Sequence, residues 1–190
     1  MHDKSRIELW AKKAAFVAYS VLGLHCNYSV SLIDDLSIDE DGRLIPTANE
    51  IQSNLAQLKP FPPREDEQSV IRTEEDRQLD ETYRLLMKTC YVIFHEMRHL
   101  YQLQAVRIYE LKRMMGGNSM KLLESAKKCE LWKVEMQSDL PLITTDIEAD
   151  ANDFAYYLTN RFPTELEMLE TNRRIGVFKR KYDKVRIPDV

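Results

Sequence analysis

Two histidines, His95 and His99, enclose Glu96 in the stretch His95-Glu96-Met97-Arg98-His99, which has the HExxH pattern. On a helix, a step of four residues returns to nearly the same face one turn on, so both imidazoles can reach one tetrahedral zinc ion. Glu96 then lies beside that ion and can accept a proton from the water that the ion activates. These residue types at this spacing therefore predict a zinc site suited to hydrolysis.

The helix predicted around this pattern has one broad apolar face, which consists of Leu86, Cys90, Ile93, Phe94, Met97, Leu100 and Tyr101. At about 100° per residue, His95 and His99 point almost directly away from that face. Their own side also carries apolar residues, as expected for a helix that forms the floor of a cleft between two packed halves. The alternative is a chance pair of surface histidines, with Glu96 as an ordinary solvated acid.

A catalytic zinc ion needs a third protein ligand and one open position. No histidine follows His99, which excludes an HExxHxxGxxH arrangement and favours a carboxylate on another helix. A later predicted helix carries four acids, Asp146, Glu148, Asp150 and Asp153. Asp146 and Asp153 project away from the apolar face of that helix, whereas Glu148 and Asp150 flank it on opposite sides. Periodicity therefore leaves Glu148 and Asp150 as candidates.

The string Glu148-Ala-Asp-Ala151-Asn152-Asp-Phe154-Ala155 matches the pattern ExxANxFA. Together with HExxH, it resembles the ImmA/IrrE family of metallo-endopeptidases, a branch of the gluzincin type. The resemblance extends over roughly residues 82–158, and the first 60 residues and the tail carry no matching motif. The chain departs from the family at Arg98, where relatives commonly have a small residue, so local packing or the cleft entrance is expected to differ.

The resemblance implies a ligand set and roles for the neighbouring residues. Zinc would be held by His95, His99 and Glu148. Glu96 would act as general base and general acid, and Asn152 would lie close enough to a liganding histidine to support it. The residue that stabilises the oxyanion is open: the candidates, equally suited to aromatic packing, are Tyr101, Tyr156 and Tyr157.

The function implied is that of a zinc metallo-endopeptidase that hydrolyses a protein or peptide substrate in the cytoplasm. The resemblance further implies a specific regulatory target, such as a helix-turn-helix repressor of a mobile element, a phage or a stress response. The second class of function is a zinc-binding regulatory or protein-interaction module with little or no proteolytic activity. The complete set of predicted site residues favours the enzyme.

Composition limits the other function classes. The 190 residues include 27 basic and 31 acidic side chains, for a formal charge of -4, which provides no overall attraction to nucleic acid or to an anionic membrane. The five glycines form neither a GxGxxG nor a GxxxxGK[ST] phosphate loop. No apolar run reaches the ~18 residues of a membrane span. Nucleic acid and membrane partners are therefore not expected.

Cysteine usage predicts the compartment. Cys26, Cys90 and Cys129 are odd in number and far apart, so neither a disulfide framework nor a thiolate zinc finger is supported, although Cys129 could serve chemically as a zinc ligand. A reducing cytoplasm fits this pattern. The apolar run 14–24 has no cleavage site after it and is typical of a mature amphipathic helix rather than an export signal.

Residues 1–172 are expected to form a single zincin-like metallopeptidase domain of the α+β class, mostly helical with a small antiparallel sheet. Its strands are predicted at 28–33 and 44–45, and in gluzincin-like proteins an edge strand of such a sheet aligns an extended substrate. Residues 59–78, rich in proline and then in charge, predict an exposed loop. Residues 173–190 form a basic tail, either a solvated extension or an arm for a partner or nucleic acid.

Three helices are predicted after the loop. The first starts near Thr73 or Asp80 and continues beyond Gln104, and the second covers 119–136. The third starts near Thr144 or Thr145, with Glu148 in the capping-box position, and stops before Pro163.

Overall fold

The computed structural model of the chain describes residues 4–24, 28–63, 73–116, 120–138 and 145–172, and side chains of the last range to residue 162. In order, these ranges form helix α1 (Lys4–Leu22), strands β1 (Ser29–Ile33) and β2 (Gly42–Ile45), a 3-10 turn (Pro46–Ala48), strand β3 (Glu50–Asn54), and helices α2 (Glu74–Met114), α3 (Ala126–Met136) and α4 (Asp146–Asn172). The predicted α+β, mostly helical class is confirmed.

Helix α2 is the axis of the fold. Its start is fixed by a capping box, in which the Thr73 hydroxyl accepts from the Asp76 amide and the Asp76 carboxylate accepts from the Thr73 amide. Its first turn is acidic and its last turn is basic, so the charges at both ends interact favourably with the helix dipole and stabilise the helix. Over its 41 residues it packs against α1, α3, α4, β2 and β3, and it therefore sets the position of every wall around its middle.

The apolar face predicted for α2 is buried, and its largest members lie in the core shared with α1 and α4. Phe94 is fully buried, and its ring packs edge to face on Phe162 of α4 at a centroid distance of 5.4 Å. Phe162 also packs edge to face on Trp10 of α1 at 5.6 Å. Because this core covers one side of α2, the histidine side is left for a second set of contacts.

The small sheet is present, but its topology differs from the predicted antiparallel pair. It has three strands in the order β1-β3-β2, with β1 parallel and β2 antiparallel to β3. The two predicted strands do not pair with each other, because β3, which was not predicted, lies between them. Strand β3 buries Ile51, Ser53 and Asn54 against the rest of the fold, and this central position compensates for its polar sequence.

Three predicted boundaries were wrong. The loop predicted over 59–78 ends earlier, because the Thr73 cap starts α2 at Glu74. The helix predicted from 119 starts at Ala126, where the Ser125 side chain accepts from the Lys128 amide as an N-cap. Helix α4 starts after Thr145 as predicted but continues past Pro163 to Asn172, since a proline removes one intrahelical hydrogen bond and leaves those of neighbouring turns.

Several sequence predictions concern residues that lie outside the described ranges. These are Cys26, residues 64–72 of the predicted loop, and the basic tail 173–190. Within the described ranges, no helix combines the length and the apolar character needed to cross a bilayer.

Strand β2 lies close against α2 at Gly42. A Cβ atom at this position would overlap Cγ1 of Val92 and would lie 3.0 Å from the carbonyl oxygen of Gln52 and 3.7 Å from Cγ of Glu96. The constraint on residue 42 is therefore space. Glycine here lets the strand lie directly against the helix turn that carries Glu96.

Gly42→Ala should lower the free energy of unfolding by about 1–3 kcal/mol, the usual cost of overpacking a tight contact. Val92→Ala removes the methyl group that the new Cβ would meet, so the double variant should lose less than the sum of the two single variants. Urea unfolding of all four proteins in this cycle measures the coupling. Strictly additive losses would show that the Cβ does not meet Val92.

Candidate metal centre

The HExxH residues lie in the middle of α2, on the floor of a cleft of about 870 Å³. Residues 40–44, which include the start of β2, line one wall, and Ile147, Glu148 and Asn152 of α4 line another. The histidine-bearing face of the helix forms the floor of a cleft, as predicted. The alternative, in which the two histidines are a chance pair on the open surface, is not what the structure shows. The side chains of His95, His99 and Glu148 are 16%, 18% and 17% exposed, so they are shielded but reachable from solvent.

The donor atoms of His95, His99 and Glu148 converge on one point. The two Nε2 atoms of the histidines are 2.9 Å apart, and the Glu148 oxygens lie 3.2 Å from His95 Nε2 and 3.1 Å from His99 Nε2. Ligands at the usual zinc–nitrogen distance in a tetrahedral site are separated by about 3.3 Å, so small shifts would suffice to surround an ion. Among the described residues, only these three form such a group.

Asp150 is the other carboxylate that periodicity allowed as the third ligand, but all of its acceptor positions are already used in hydrogen bonds. Its Oδ2 accepts from Arg98 Nε at 2.7 Å and from Gln102 Nε2 at 2.8 Å, and its Oδ1 accepts from Arg98 Nη2 at 3.1 Å and from Lys128 Nζ at 2.9 Å. A carboxylate has about four lone-pair sites, all of which are used here. Of the two candidates, Glu148 therefore is the one that can bind a metal ion.

The surroundings of Glu148 favour its ionised form, which is the form that binds a cation. Hydrogen bonds from His95 and His99 are the largest cause, and together with the charges of the two imidazoles they lower the pKa of Glu148 to about 2 against the opposing effect of burial. Burial favours neutral His99, but the hydrogen bond to Glu148 and the charge of Glu96 raise the pKa of His99 above its usual value. Glu148 is consequently an anion at neutral pH.

Glu96 is the most buried carboxylate of the cleft, with 8% of its surface exposed. Burial raises the pKa of Glu96, and the charges of His95 and His99 only partly offset this rise. Glu96 lines the same cleft as the two histidines, and its Cγ atom is close to Gly42 of β2. Its proton affinity is thus increased at a place that solvent and a bound ligand can reach, which is what a general base or acid requires.

The two histidines differ in what supports their second ring nitrogen. His99 Nδ1 is 2.8 Å from Oε1 of Gln102, a fully buried residue one helical turn further along α2. His95 Nδ1 is buried without a hydrogen-bond partner among the described residues. The sequence interpretation missed Gln102, although its position three residues after His99 places it on the same face of the helix.

Asn152 was predicted to support a liganding histidine, and it does line the cleft. Its Oδ1 accepts from the Tyr91 hydroxyl at 2.7 Å, and the Tyr91 ring stacks on His95 with centroids 6.4 Å apart. Asn152 therefore reaches a histidine through Tyr91. The sequence interpretation missed Tyr91, which the spacing of four residues before His95 could have indicated.

The three tyrosines considered for the oxyanion do not line the cleft. Tyr101 is buried and donates to the carboxylate of Glu124 at 3.1 Å. Tyr156 is 69% exposed, and the Tyr157 hydroxyl accepts from Arg161 at 2.9 Å. Among the described tyrosines, Tyr91 is the one that lines the cleft, and its ring stacks on that of His95.

No family model, curated protein or solved structure matches the chain. The resemblance to the ImmA/IrrE peptidases rests on the two motifs and stays a prediction. The geometry of the cleft is therefore the evidence from which a function can be inferred.

Glu148→Ala should lose most of the divalent metal that the parent chain binds, because it removes the anionic ligand and leaves two imidazoles. Asp153→Ala, which removes an exposed acid from the same helix, is the matched control and should bind one ion per chain. Titration of the metal-free proteins with zinc or cobalt measures both affinities. Equal binding by the parent and Glu148→Ala would show that the ligand set is wrong.

Proposed function

We propose that the chain is a zinc-dependent metallo-endopeptidase. The observation that carries this proposal is the convergence of His95, His99 and Glu148 on one point, with the buried carboxylate of Glu96 beside them on the floor of an open cleft. Two imidazoles, one carboxylate and room for a further ligand are the donor set typical of catalytic zinc. A structural zinc site would instead be closed by a fourth protein ligand.

Zinc bound at these three residues would supply a Lewis acid that polarises the scissile carbonyl and makes water more acidic. Glu96 takes the proton from the attacking water and then delivers it to the leaving amine. The raised pKa of Glu96 suits both steps, since a group that accepts and returns a proton works best when its pKa is nearer the working pH. Glu148 and the two histidines would hold the ion and transfer no proton.

The substrate is an extended peptide segment. Strand β2 pairs with β3 on one side only within the described sheet, and its residues 42–44 border the same cleft as Glu96. An extended chain can add to the free edge of such a strand through backbone hydrogen bonds, which accept many side chains. A folded protein would first need to present a loop or a terminus to the cleft.

The target is a specific regulatory protein in the cytoplasm, such as a helix-turn-helix repressor of a mobile element or phage. The ExxANxFA resemblance supports the regulatory target. Two free, buried thiols, Cys90 and Cys129, support the cytoplasmic location. The alternative function is a zinc-binding regulatory module with little proteolysis. The buried Glu96 favours the enzyme, because zinc binding alone does not require a carboxylate with a raised pKa beside the ligands.

Glu96→Gln should keep zinc and the fold but lower peptide hydrolysis by about 10²–10⁴-fold, because the amide cannot take up the proton of the water. The measurement is the appearance of new N-termini, by mass spectrometry, when the zinc-loaded protein is incubated with purified helix-turn-helix repressors and with unfolded casein. Zinc content and melting temperature of the variant serve as controls.

Equal cleavage by the parent and Glu96→Gln would contradict the assignment of the base and indicate a contaminating protease. Rapid digestion of casein at many sites, with the repressors intact, would contradict the regulatory target and leave the peptidase. A zinc-loaded parent that cleaves none of these proteins would favour the binding module.

A further inference from the structure

A buried series of polar side chains leads from Arg98 to His99 through Asp150 and Gln102. We infer that Arg98, Asp150 and Gln102 are positioning residues, which hold the His99 ring in one orientation and one tautomer so that Nε2 faces the ion. The inference rests on the zinc site of the proposed function and does not depend on peptide hydrolysis.

Gln102 fixes the tautomer of His99. Its amide nitrogen donates to the carbonyl oxygen of Ile147 at 3.0 Å and to Oδ2 of Asp150 at 2.8 Å, so both of its hydrogens are used. The remaining amide atom, Oε1, can only accept, and it lies 2.8 Å from His99 Nδ1. Nδ1 of His99 therefore keeps its proton, and Nε2, which lies 3.1 Å from Glu148, is the ring nitrogen left to bind a metal ion.

Asp150 fixes the orientation of Gln102. Reversing the amide would place Oε1 against the Asp150 carboxylate and the Ile147 carbonyl, both of which are acceptors. Both oxygens of Asp150 accept hydrogen bonds from the cations Arg98 and Lys128, so the carboxylate can act only as an acceptor toward Gln102. An acceptor at this position leaves the glutamine only one favourable orientation.

Arg98 holds Asp150 by a two-pronged bond, with Nε at 2.7 Å and Nη2 at 3.1 Å. The guanidinium is buried, with 5% of the residue exposed, and lies 4.5 Å from the ring centroid of Tyr101 and 5.4 Å from that of Phe154. Arg98 does not line the cleft. The presence of arginine here, where the resembling family commonly has a small residue, therefore affects the packing around α2 and not the entrance of the cleft. The planar guanidinium presents its N–H donors in a fixed geometry and so fixes the orientation of the Asp150 carboxylate, whereas a lysine ammonium does not.

A purely structural ion pair would explain Arg98 and Asp150 but not Gln102. The glutamine is fully buried, shares an oxygen of Asp150 with Arg98, and has its single acceptor on a predicted ligand. The His95 ring has no comparable support from a described residue at Nδ1. The affinity of the site for zinc therefore depends on the support given to His99.

The test is Gln102→Met, which keeps the length of the side chain and removes both its donor and its acceptor. Zinc affinity, measured by competition with a chelator, should fall by about 10–100-fold, the usual effect of removing a group that supports a ligand. The visible absorption spectrum of the cobalt-loaded protein should change, because the ring is no longer held in one orientation. Arg98→Lys, which keeps the charge but not the two-pronged bond, should also weaken zinc binding.

Thr89→Val is the matched control, since it removes a buried hydrogen bond to the Leu85 carbonyl on the same helix, away from the cleft. It should leave zinc affinity and the cobalt spectrum unchanged. Parent-like affinity and an unchanged spectrum in folded Gln102→Met would overturn the inference, and parent-like affinity in Arg98→Lys would overturn the role of Arg98.

A measurement on the zinc-loaded parent covers the case in which Gln102→Met does not fold. Nitrogen-15 NMR of the histidine rings should show a proton on Nδ1 of His99 that exchanges slowly with water. A proton on Nε2 of His99 would overturn the inference. Because these measurements use no substrate, failure to cleave peptides would overturn the proposed enzyme alone, whereas failure of the parent to bind zinc would overturn both.

Discussion

A buried guanidinium must be paired, and this requirement determines how α4 lies against α2. Removing one partner of such a pair typically costs about 3–5 kcal/mol, so the contact between Arg98 and Asp150 is a strong constraint on the relative position of the two helices. Glu148 precedes Asp150 by two residues on α4. When Arg98 holds Asp150, Glu148 is therefore brought to the other side of the contact, where the two histidines lie.

Much of this arrangement could be predicted from local pattern. The period of the apolar residues on α2 predicted both the buried face and the opposite placement of His95 and His99, because a helix relates side chains by a fixed rotation. Thr145 was predicted as a cap, and its hydroxyl does accept from the Glu148 amide at 3.4 Å. These features depend on residues within one or two turns of each other.

Features that depend on distant residues could not be predicted in this way. Periodicity could not decide whether Glu148 or Asp150 is the third ligand, because the two flank the same apolar face. Arg98 on another helix decides it, since Arg98 occupies the carboxylate of Asp150. Strand β3 was missed because its sequence, Glu-Ile-Gln-Ser-Asn, has little of the alternation typical of strands, and its pairing with β1 and β2 supplies the stability. The role of Gln102 likewise becomes visible only when Ile147 and Asp150 lie beside it.

The division of the ligands between two helices has a consequence for the stability of the chain. His95 and His99 are one helical turn apart and are held together by the local hydrogen bonds of α2, whereas roughly 50 residues separate His99 from Glu148. An ion bound by all three would act as a crosslink that closes this long segment and restricts the unfolded chain far more than the folded one. Metal supply would then govern how long the protein survives in the cell, as well as whether its cleft is active.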